Sequence, residues 1–275
     1  MIRDFQTPPS LRDRAQAWLE SSEPVAPPRG AATVVLVRSS PSGTPEVFLM
    51  HRQQTMAFAA GMVVFPGGGV DPRDSDDLDL RWSGPGPEQW GQQLGVTAGD
   101  AVGLVCAAVR ETFEECGVLL ATAPGADDYP TVDKGDWEQD RMRLLAREIA
   151  LSELLLERGL VLRSDRLKPW AHWTTPEFEP RRYDTWFFLA HLPHGRTARH
   201  LGGEASASGW STPQEVLDRY ERDEIKLLPP TLVTLEELAL APDVVELRAR
   251  ERDLTEVMPV PTLHEGRLVL RAELP

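Results

Sequence analysis

The sequence has no excess of positive charge, because 43 acidic residues outnumber 29 lysines and arginines and leave a formal net charge of -14. Such a chain offers no basic field that could gather a nucleic acid polymer or an anionic membrane surface, so we expect neither as a partner. An anionic small-molecule substrate would meet the same repulsion. Its site must therefore supply positive charge locally, from a bound metal ion or from a few arginines.

Cysteine and long apolar runs are scarce as well. Cys106 and Cys116 are the two cysteines, and both fall on one predicted helix, about 15 Å apart along its axis, too far to form a disulfide. No run of about 18 apolar residues occurs, and the N-terminal segment lacks the apolar core of a signal peptide. Two unpaired thiols suit a reducing compartment, so we expect a cytoplasmic protein.

What the sequence does contain is enough apolar material for a packed core, since 41% of its 275 residues are hydrophobic. Residues 1–29, which end in a proline-rich stretch, are interpreted as an N-terminal arm, and residues 30–275 as a single domain. Within that domain, the polar stretch at about 75–99 is interpreted as an insertion. The stretch at about 137–160 is interpreted as a helical segment.

The apolar pattern predicts strands and helices in a mixed order. Strands are expected over residues 31–38, 46–52, 62–65, 185–192, around 208–210 and 267–273. Helices are expected over residues 10–20, 100–120, 137–158 and 230–240, and another is expected to begin at Thr212. Because this order is not a clean strand–helix–strand alternation, we predict an α+β fold with helices packed around a mixed sheet.

The most informative stretch is Arg-Glu-Thr-Phe-Glu-Glu-Cys-Gly-Val at residues 110–118. On a helix, Glu111, Glu114 and Glu115 lie at positions i, i+3 and i+4, so their carboxylates project from one face. Like charges at that spacing repel by about a few tenths of a kcal/mol per pair unless a cation lies among them. Clustered carboxylate oxygens suit Mg²⁺ or Mn²⁺. The alternative is a solvated acidic face, which the three glutamates taken alone would favour.

The surroundings of these glutamates favour the metal site. With the upstream turn Phe65-Pro66-Gly67-Gly68, the stretch resembles the Nudix hydrolase signature G-x5-E-x7-R-E-U-x-E-E-x-G-U, in which U is a bulky aliphatic residue. Asp74 stands at the signature's first acid. From there 35 residues, and not 7, lead to Arg110, so the sequence carries an insertion of 28 residues. An insertion between a loop and a helix can leave its two ends close in space.

The long insertion is similar to that of the Nudix branch that includes peroxisomal coenzyme A diphosphatases. Further segments at residues 61–71, 173–176 and 181–188 point the same way, so the resemblance spans roughly residues 30–240. It implies a Nudix-type α/β/α sandwich with a mixed β-sheet, a helical insertion and extra C-terminal helices. By family analogy a homodimer is slightly favoured.

The resemblance also implies a reaction, namely metal-dependent hydrolysis of a diphosphate linkage in a nucleotide derivative. The expected substrate is coenzyme A or an acyl-coenzyme A, giving 3′,5′-ADP and phosphopantetheine. NADH, ADP-ribose and other nucleoside diphosphate derivatives are alternatives, and so is a Nudix module that binds a nucleotide without cleaving it. The intact glutamate set favours an enzyme, because a pure binder has no need to keep that repulsion.

Four residues are candidates for catalysis: Glu114, Glu115, Glu204 and Arg110. Glu111, Glu114 and Glu115 would hold Mg²⁺ or Mn²⁺, which polarises the diphosphate and makes water more acidic. One of these glutamates, or Glu204, which stands six residues before Trp210, would accept the proton of the attacking water. Arg110 is expected to lock the helix face by pairing with a neighbouring carboxylate.

Other residues are candidates for binding the substrate. Gly67, Gly68 and Gly69 allow the main chain to approach the metal or a phosphate closely. The separate 3′-phosphate of coenzyme A calls for a cation away from the metal, for which the candidates are Arg52, Arg181 and Arg182. An apolar pocket for a pantetheine or acyl chain could involve Met56, Phe58 and Met62, although such residues more often belong to a core.

Overall fold

A mixed β-sheet forms the centre of the computed structural model, which describes residues 1–7, 9–20, 24–53, 59–75, 80–132, 135–192, 198–199 and 205–275. The strands, in chain order, are β1 Ile2–Gln6, β2 Arg29–Ser39, β3 Pro45–Arg52, β4 Met62–Val64, β5 Gly67–Gly69, β6 Trp82–Ser83, β7 Ala121–Thr122, β8 Val161–Arg163, β9 Leu167–Thr174, β10 Tyr183–His191, β11 Ala205–Ser211, β12 Lys226–Leu227, β13 Val260–His264 and β14 Arg267–Glu273.

The central sheet runs in the order β12-β4-β3-β2-β10-β9, with β11 paired to β3 and β5 paired to β2. β10 is parallel to β2 and β12 is parallel to β4, whereas the other pairs are antiparallel. Two small sheets accompany it, one of β1, β14 and β13 and the other of β6, β8 and β7. The predicted mixed sheet is confirmed.

Helices cover both faces of the central sheet. They are α1 Pro9–Leu19, α2 Pro87–Leu94, α3 Ala98–Cys116, α4 Asp136–Leu145, α5 Leu151–Glu157, α6 Pro213–Glu221, α7 Pro229–Ala239 and α8 Val244–Ala249. Along β2, Val34 and Leu36 pack into one core together with α2, α3 and α5, while Val35 and Val37 pack into a second core with α1, α6, α7 and α8. Alternating apolar side chains that are buried on both sides make this the predicted three-layer α/β/α sandwich.

The glycine turn lies where β2 and β3 separate. β2 pairs with β3 near Val37, but at residues 31–33 its partner is β5, whose three residues are Gly67, Gly68 and Gly69. The turn is therefore part of the sheet, and its strand β5 is in contact with α3.

α3 is the helix that carries the glutamates, and local signals define both of its ends. The Thr97 hydroxyl accepts from the Asp100 N–H at 3.1 Å at the start. At the other end, Gly117 takes the left-handed conformation, with φ of 65°, and its N–H donates to the Phe113 carbonyl. The predicted helix is confirmed but stops at Cys116. Both cysteines are buried and form no disulfide within the described residues.

The insertion contributes to the interior of the fold. Its helix α2 places Trp90 in the core, edge-on to Phe188 of β10 with ring centroids 5.8 Å apart. The 28 extra residues leave and re-enter the fold at neighbouring points, because Asp74 and Arg110 are bonded to each other. The expectation that the two halves of the signature meet in space is confirmed.

Some sequence predictions do not match the structure. The single helix expected over residues 137–158 is wrong, since α4 ends at Leu145, Arg147 has a positive φ of 58°, and α5 begins at Leu151. The Arg147 carbonyl there accepts a hydrogen bond from Arg73. In the predicted N-terminal arm, β1 pairs antiparallel with β14, a strand pairing that local patterns did not indicate.

Within the described residues, no single helix is long and apolar enough to cross a membrane. α2 and α3 together have the length and apolar composition of a membrane-crossing segment, but the two helices are bent by 93° at the break between them.

Candidate active site

The glutamates of α3 lie against the glycine turn, as the sequence predicted. The Gly67 N–H donates to Glu115 Oε2 at 2.8 Å. A Cβ atom added to Gly68 would lie 2.6 Å from Cδ of Glu111, closer than real Cβ contacts, so only glycine lets the turn come this near to the carboxylate. The turn and the acidic helix face therefore form one site.

Arg110 lies at the centre of the acidic cluster. Its Nε and Nη2 donate to the two carboxylate oxygens of Asp74, both at 2.9 Å, and Nη2 also donates to the Gly69 carbonyl at 3.0 Å. Its Nη1 donates to Glu111 Oε1 at 2.8 Å and to Glu114 Oε2 at 3.3 Å. The guanidinium thus orients three carboxylates and the turn. This is the locking role that the sequence predicted for Arg110.

Burial shapes the charge of this cluster. It raises the pKa of Glu114 to about 7, opposed by Arg110 and reinforced by Glu111 and Asp74. Burial also acts to lower the pKa of Arg110, but its ion pairs with Asp74, Glu111 and Glu114 outweigh this and raise that pKa. One guanidinium therefore faces several carboxylates, and a further positive charge in the cluster would be electrostatically favourable.

The site fits a divalent cation by the chemistry of its donors. Glu111, Glu114 and Glu115 offer carboxylate oxygens on one helix face, beside main chain that carries no Cβ, and such oxygens are the preferred ligands of Mg²⁺ and Mn²⁺. Across the described part of the chain, no three acidic, thiol or imidazole side chains converge as a ready-made ligand set. Arg110 and the Gly67 N–H engage the glutamates instead.

Two cavities open at this site. The first, here called the glutamate cavity, has a volume of about 710 Å³ and is lined by Asp71, the three α3 glutamates and five arginines, which are Arg29, Arg52, Arg73, Arg110 and Arg147. The second, here called the apolar chamber, measures about 410 Å³. The two share Arg52, the residues Gly67–Gly69 and Tyr183. The glutamate cavity thus contains the local positive charge that the acidic composition required.

The three arginines predicted to bind the substrate lie in different environments in the structure. Arg52, at the end of β3, lines both cavities. Arg181 is exposed and lines neither the glutamate cavity nor the apolar chamber. Arg182 is corrected to a structural role, because its buried guanidinium donates to the carbonyls of Thr175 and Ala26 at 3.0 and 2.9 Å. These main-chain bonds tie the start of β10 to the segment that precedes β2.

Three arginines of the glutamate cavity were missed by sequence reasoning. Arg73 stands within the signature loop just before Asp74, which is a signal that could have identified it. Arg29 and Arg147 carry no such signal, and Arg147 reaches the cavity from the break between α4 and α5. Glu204, Met56 and Phe58 lie outside the described residues, so their predicted roles stay predictions.

The chain is similar to known proteins of one family. A family model described as the NUDT19 Nudix domain matches residues 86–238. An acyl-coenzyme A diphosphatase NUDT19 from Gallus gallus is 29% identical, with 75% of this chain and 67% of the relative covered. The protein of the same name from Homo sapiens is 29% identical, with 74% and 62% covered. The chain therefore spans only about two thirds of the length of these relatives.

A solved structure agrees with the fold. The crystal structure of a NUDIX hydrolase from Alicyclobacillus acidocaldarius matches with a TM-score of 0.67 and 27% sequence identity, covering 82% of this chain and 98% of that one. The match covers nearly the whole of that protein, so the two chains share the same overall fold.

Proposed function

This chain belongs to the Nudix hydrolase family, in the group of the NUDT19 Nudix domain, and from that premise we propose that it cleaves the diphosphate of coenzyme A or an acyl-coenzyme A. The products would be 3′,5′-ADP and phosphopantetheine or its acylated form. Nudix hydrolases act on nucleoside diphosphate derivatives and generally use divalent metal ions. The identity of the metal, Mg²⁺ or Mn²⁺, belongs to the proposal, as do the substrate and the bond cleaved.

The observation that carries the proposal is the contact between the glycine turn and the α3 glutamates at the boundary of the two cavities. Gly67 holds Glu115, and Gly68 lies against Glu111. A diphosphate that spans this boundary lies beside the carboxylates, with one half of the substrate in each cavity. Arg52 lines both cavities and is placed to bind a phosphate oxygen there.

The chain's own residues supply position and proton transfer. A divalent cation held by Glu111, Glu114 and Glu115 would neutralise and polarise the diphosphate. Arg110 fixes the glutamates on their helix face, and the Gly67 N–H orients the Glu115 carboxylate. An ionised glutamate can then accept a proton as water attacks phosphorus and the bond to the bridging oxygen breaks. Glu114, Glu115 and Glu204 are the candidates for this base.

Removing the metal should stop the reaction while leaving the protein folded. With excess EDTA, we expect no release of 3′,5′-ADP from coenzyme A, and we expect Mg²⁺ or Mn²⁺ to restore it, because the glutamates alone cannot neutralise the diphosphate. The measurement is chromatography of products formed from coenzyme A, acetyl-coenzyme A, NADH, ADP-ribose and a dinucleoside polyphosphate. If a nucleotide binds equally well with EDTA and no product forms with any metal, the chain is a binding module instead.

A second prediction concerns Gly68. The Gly68→Ala variant should lose about tenfold to a hundredfold in kcat, the range found when groups that orient metal ligands are changed, because the new methyl group displaces the Glu111 carboxylate. The fold should survive, since that carboxylate is the movable end of a side chain. Gly99→Ala on α3, where the added methyl group meets no atom closer than 3.9 Å, is the matched control. Equal kcat in both variants would contradict this role of the turn.

Two further features belong to the proposal. We propose a cytoplasmic location, supported by a sequence with only two cysteines, both buried and in no disulfide within the described residues, as suits a reducing compartment. We also propose a homodimer, supported by family analogy. Cell fractionation tests the location, and light scattering of the purified protein tests the homodimer.

A further inference from the structure

Apart from the residues that it shares with the glutamate cavity, the apolar chamber contributes no side chain to the proposed chemical step. Aromatic and aliphatic side chains from the sheet, from α1 and from β14 form its walls, chief among them Leu11, Phe65, Trp173, Phe178, Phe187 and Leu270. Five of these, Phe65, Trp173, Phe178, Phe187 and Leu270, are buried in the core that lies on the α7 side of the sheet. The walls are thus held rigidly by the fold, which favours a preformed ligand pocket.

The chamber adjoins the candidate active site. Gly67, Gly68 and Gly69 line it on one side and line the glutamate cavity on the other, and Arg52 and Tyr183 are shared in the same way. A ligand with its diphosphate beside the α3 glutamates therefore has the chamber within reach of one of its halves. Which half enters is decided by charge.

Charge separates the two cavities. Leaving out the shared Arg52, the chamber has one lining arginine, Arg14, whose guanidinium lies 3.2 Å from the Glu179 carboxylate that also lines it. The glutamate cavity offers Arg29 and Arg147 instead, and the Arg147 side chain is 77% exposed. Arg147 is also paired, with Asp71 at 3.5 Å, but its large exposure leaves its guanidinium accessible to a phosphate. A phosphate in the chamber would instead meet one arginine already paired with a buried carboxylate.

We propose, on the basis of the proposed function, that the apolar chamber binds the acylated pantetheine arm of the substrate and that the adenosine 3′-phosphate half lies on the side of Arg29 and Arg147. The pantetheine arm and its acyl group carry no charge beyond the diphosphate, so the chamber need not desolvate an ion, and the apolar acyl chain gains most from burial there. Each methylene group buried there strengthens binding by about fourfold. The chamber therefore favours acyl-coenzyme A over free coenzyme A.

Leu11 is the residue at which to test the chamber. It is a half-buried residue of α1 that lines the chamber and does not line the glutamate cavity. Leu11→Trp should narrow the chamber with little strain on the fold, because the side chain lies at the surface of the core. Leu19→Trp makes the same change on the same helix, at a side chain that is 43% exposed and lines neither cavity.

The Leu11→Trp variant is expected to lose about tenfold or more in kcat/KM for a long-chain acyl-coenzyme A, equal to about 1.4 kcal/mol. Its loss in kcat/KM for acetyl-coenzyme A should be clearly smaller, because the short acyl group fills less of the narrowed chamber, and Leu19→Trp should match the wild type with both substrates. Equal losses with both substrates, or wild-type selectivity in Leu11→Trp, would overturn the chamber assignment while leaving the proposed hydrolase activity intact.

A binding measurement separates this inference from the proposed function. Calorimetry in EDTA, with a long-chain acyl-phosphopantetheine and with 3′,5′-ADP as separate ligands, needs no turnover. Leu11→Trp should weaken binding of the first about tenfold and leave binding of the second unchanged; equal effects on both would overturn the inference. If the wild-type protein cleaves no coenzyme A derivative but shows this selective loss, the proposed function fails and the chamber assignment stands.

Discussion

Glu115→Gln is expected to lower kcat for coenzyme A hydrolysis by about 10²- to 10⁴-fold, the range for loss of a group that acts in proton transfer. Glutamine keeps the size of the side chain and an oxygen that can still accept the Gly67 N–H. It removes the negative charge that a metal ligand or a base requires. Initial rates of 3′,5′-ADP release at saturating Mg²⁺ measure the effect.

The control for this variant is Glu221→Gln, which removes one carboxylate from the exposed end of α6. It should keep the wild-type kcat, and circular dichroism should show both variants folded. A Glu115→Gln enzyme that retains kcat within about threefold of the wild-type value would remove Glu115 from the active site. The contact between the turn and α3 would then be structural only.

Arg110→Met is expected to lower the free energy of unfolding by about 3–5 kcal/mol, the usual loss when one partner of a buried ion pair is removed. Methionine fills much of the space of the arginine stem but leaves Asp74, Glu111 and Glu114 without the guanidinium that binds them. Asp74 suffers most, because its side chain is only 2% exposed and both of its carboxylate oxygens accept from Arg110. Urea denaturation in EDTA measures the change.

The matched control is Arg222→Met, in which the lost partner of Glu224 is a solvent-exposed guanidinium. Exposed ion pairs contribute little to stability, so its urea midpoint should match that of the wild-type protein. If Arg110→Met unfolds at the wild-type midpoint as well, the acidic cluster does not depend on Arg110. The second half of the signature would then need a different physical explanation.

The sequence predicted the local parts of the site well. The i, i+3, i+4 spacing placed three glutamates on one face of a helix, and the helix expected over residues 100–120 ends at Cys116, within a few residues of that bound. Counting along the signature also identified Asp74 as an acid of the site, although 35 residues separate it from Arg110. These successes rest on spacing along the chain, which helix geometry converts directly into position.

The rest of the site depends on tertiary contacts that spacing does not encode. Arg182 has the composition of a phosphate ligand, but the main-chain carbonyls around it decide its role. Arg147 enters the glutamate cavity because a helix breaks before it, and apolar periodicity alone did not reveal that break. The pairing of β1 with β14 joins the two ends of the sequence, beyond the reach of any local pattern.

The buried position of Trp90 makes the 28-residue insertion part of the protein's core. Its ring packs edge-on to Phe188 and is almost completely shielded from water, so this indole fills part of the protein's interior. Trimming the chain back to the compact motif would leave a hollow beside the central sheet at a large energetic penalty. The segment is therefore a structural component of this domain, and removing it would require other side chains to occupy the volume of the indole.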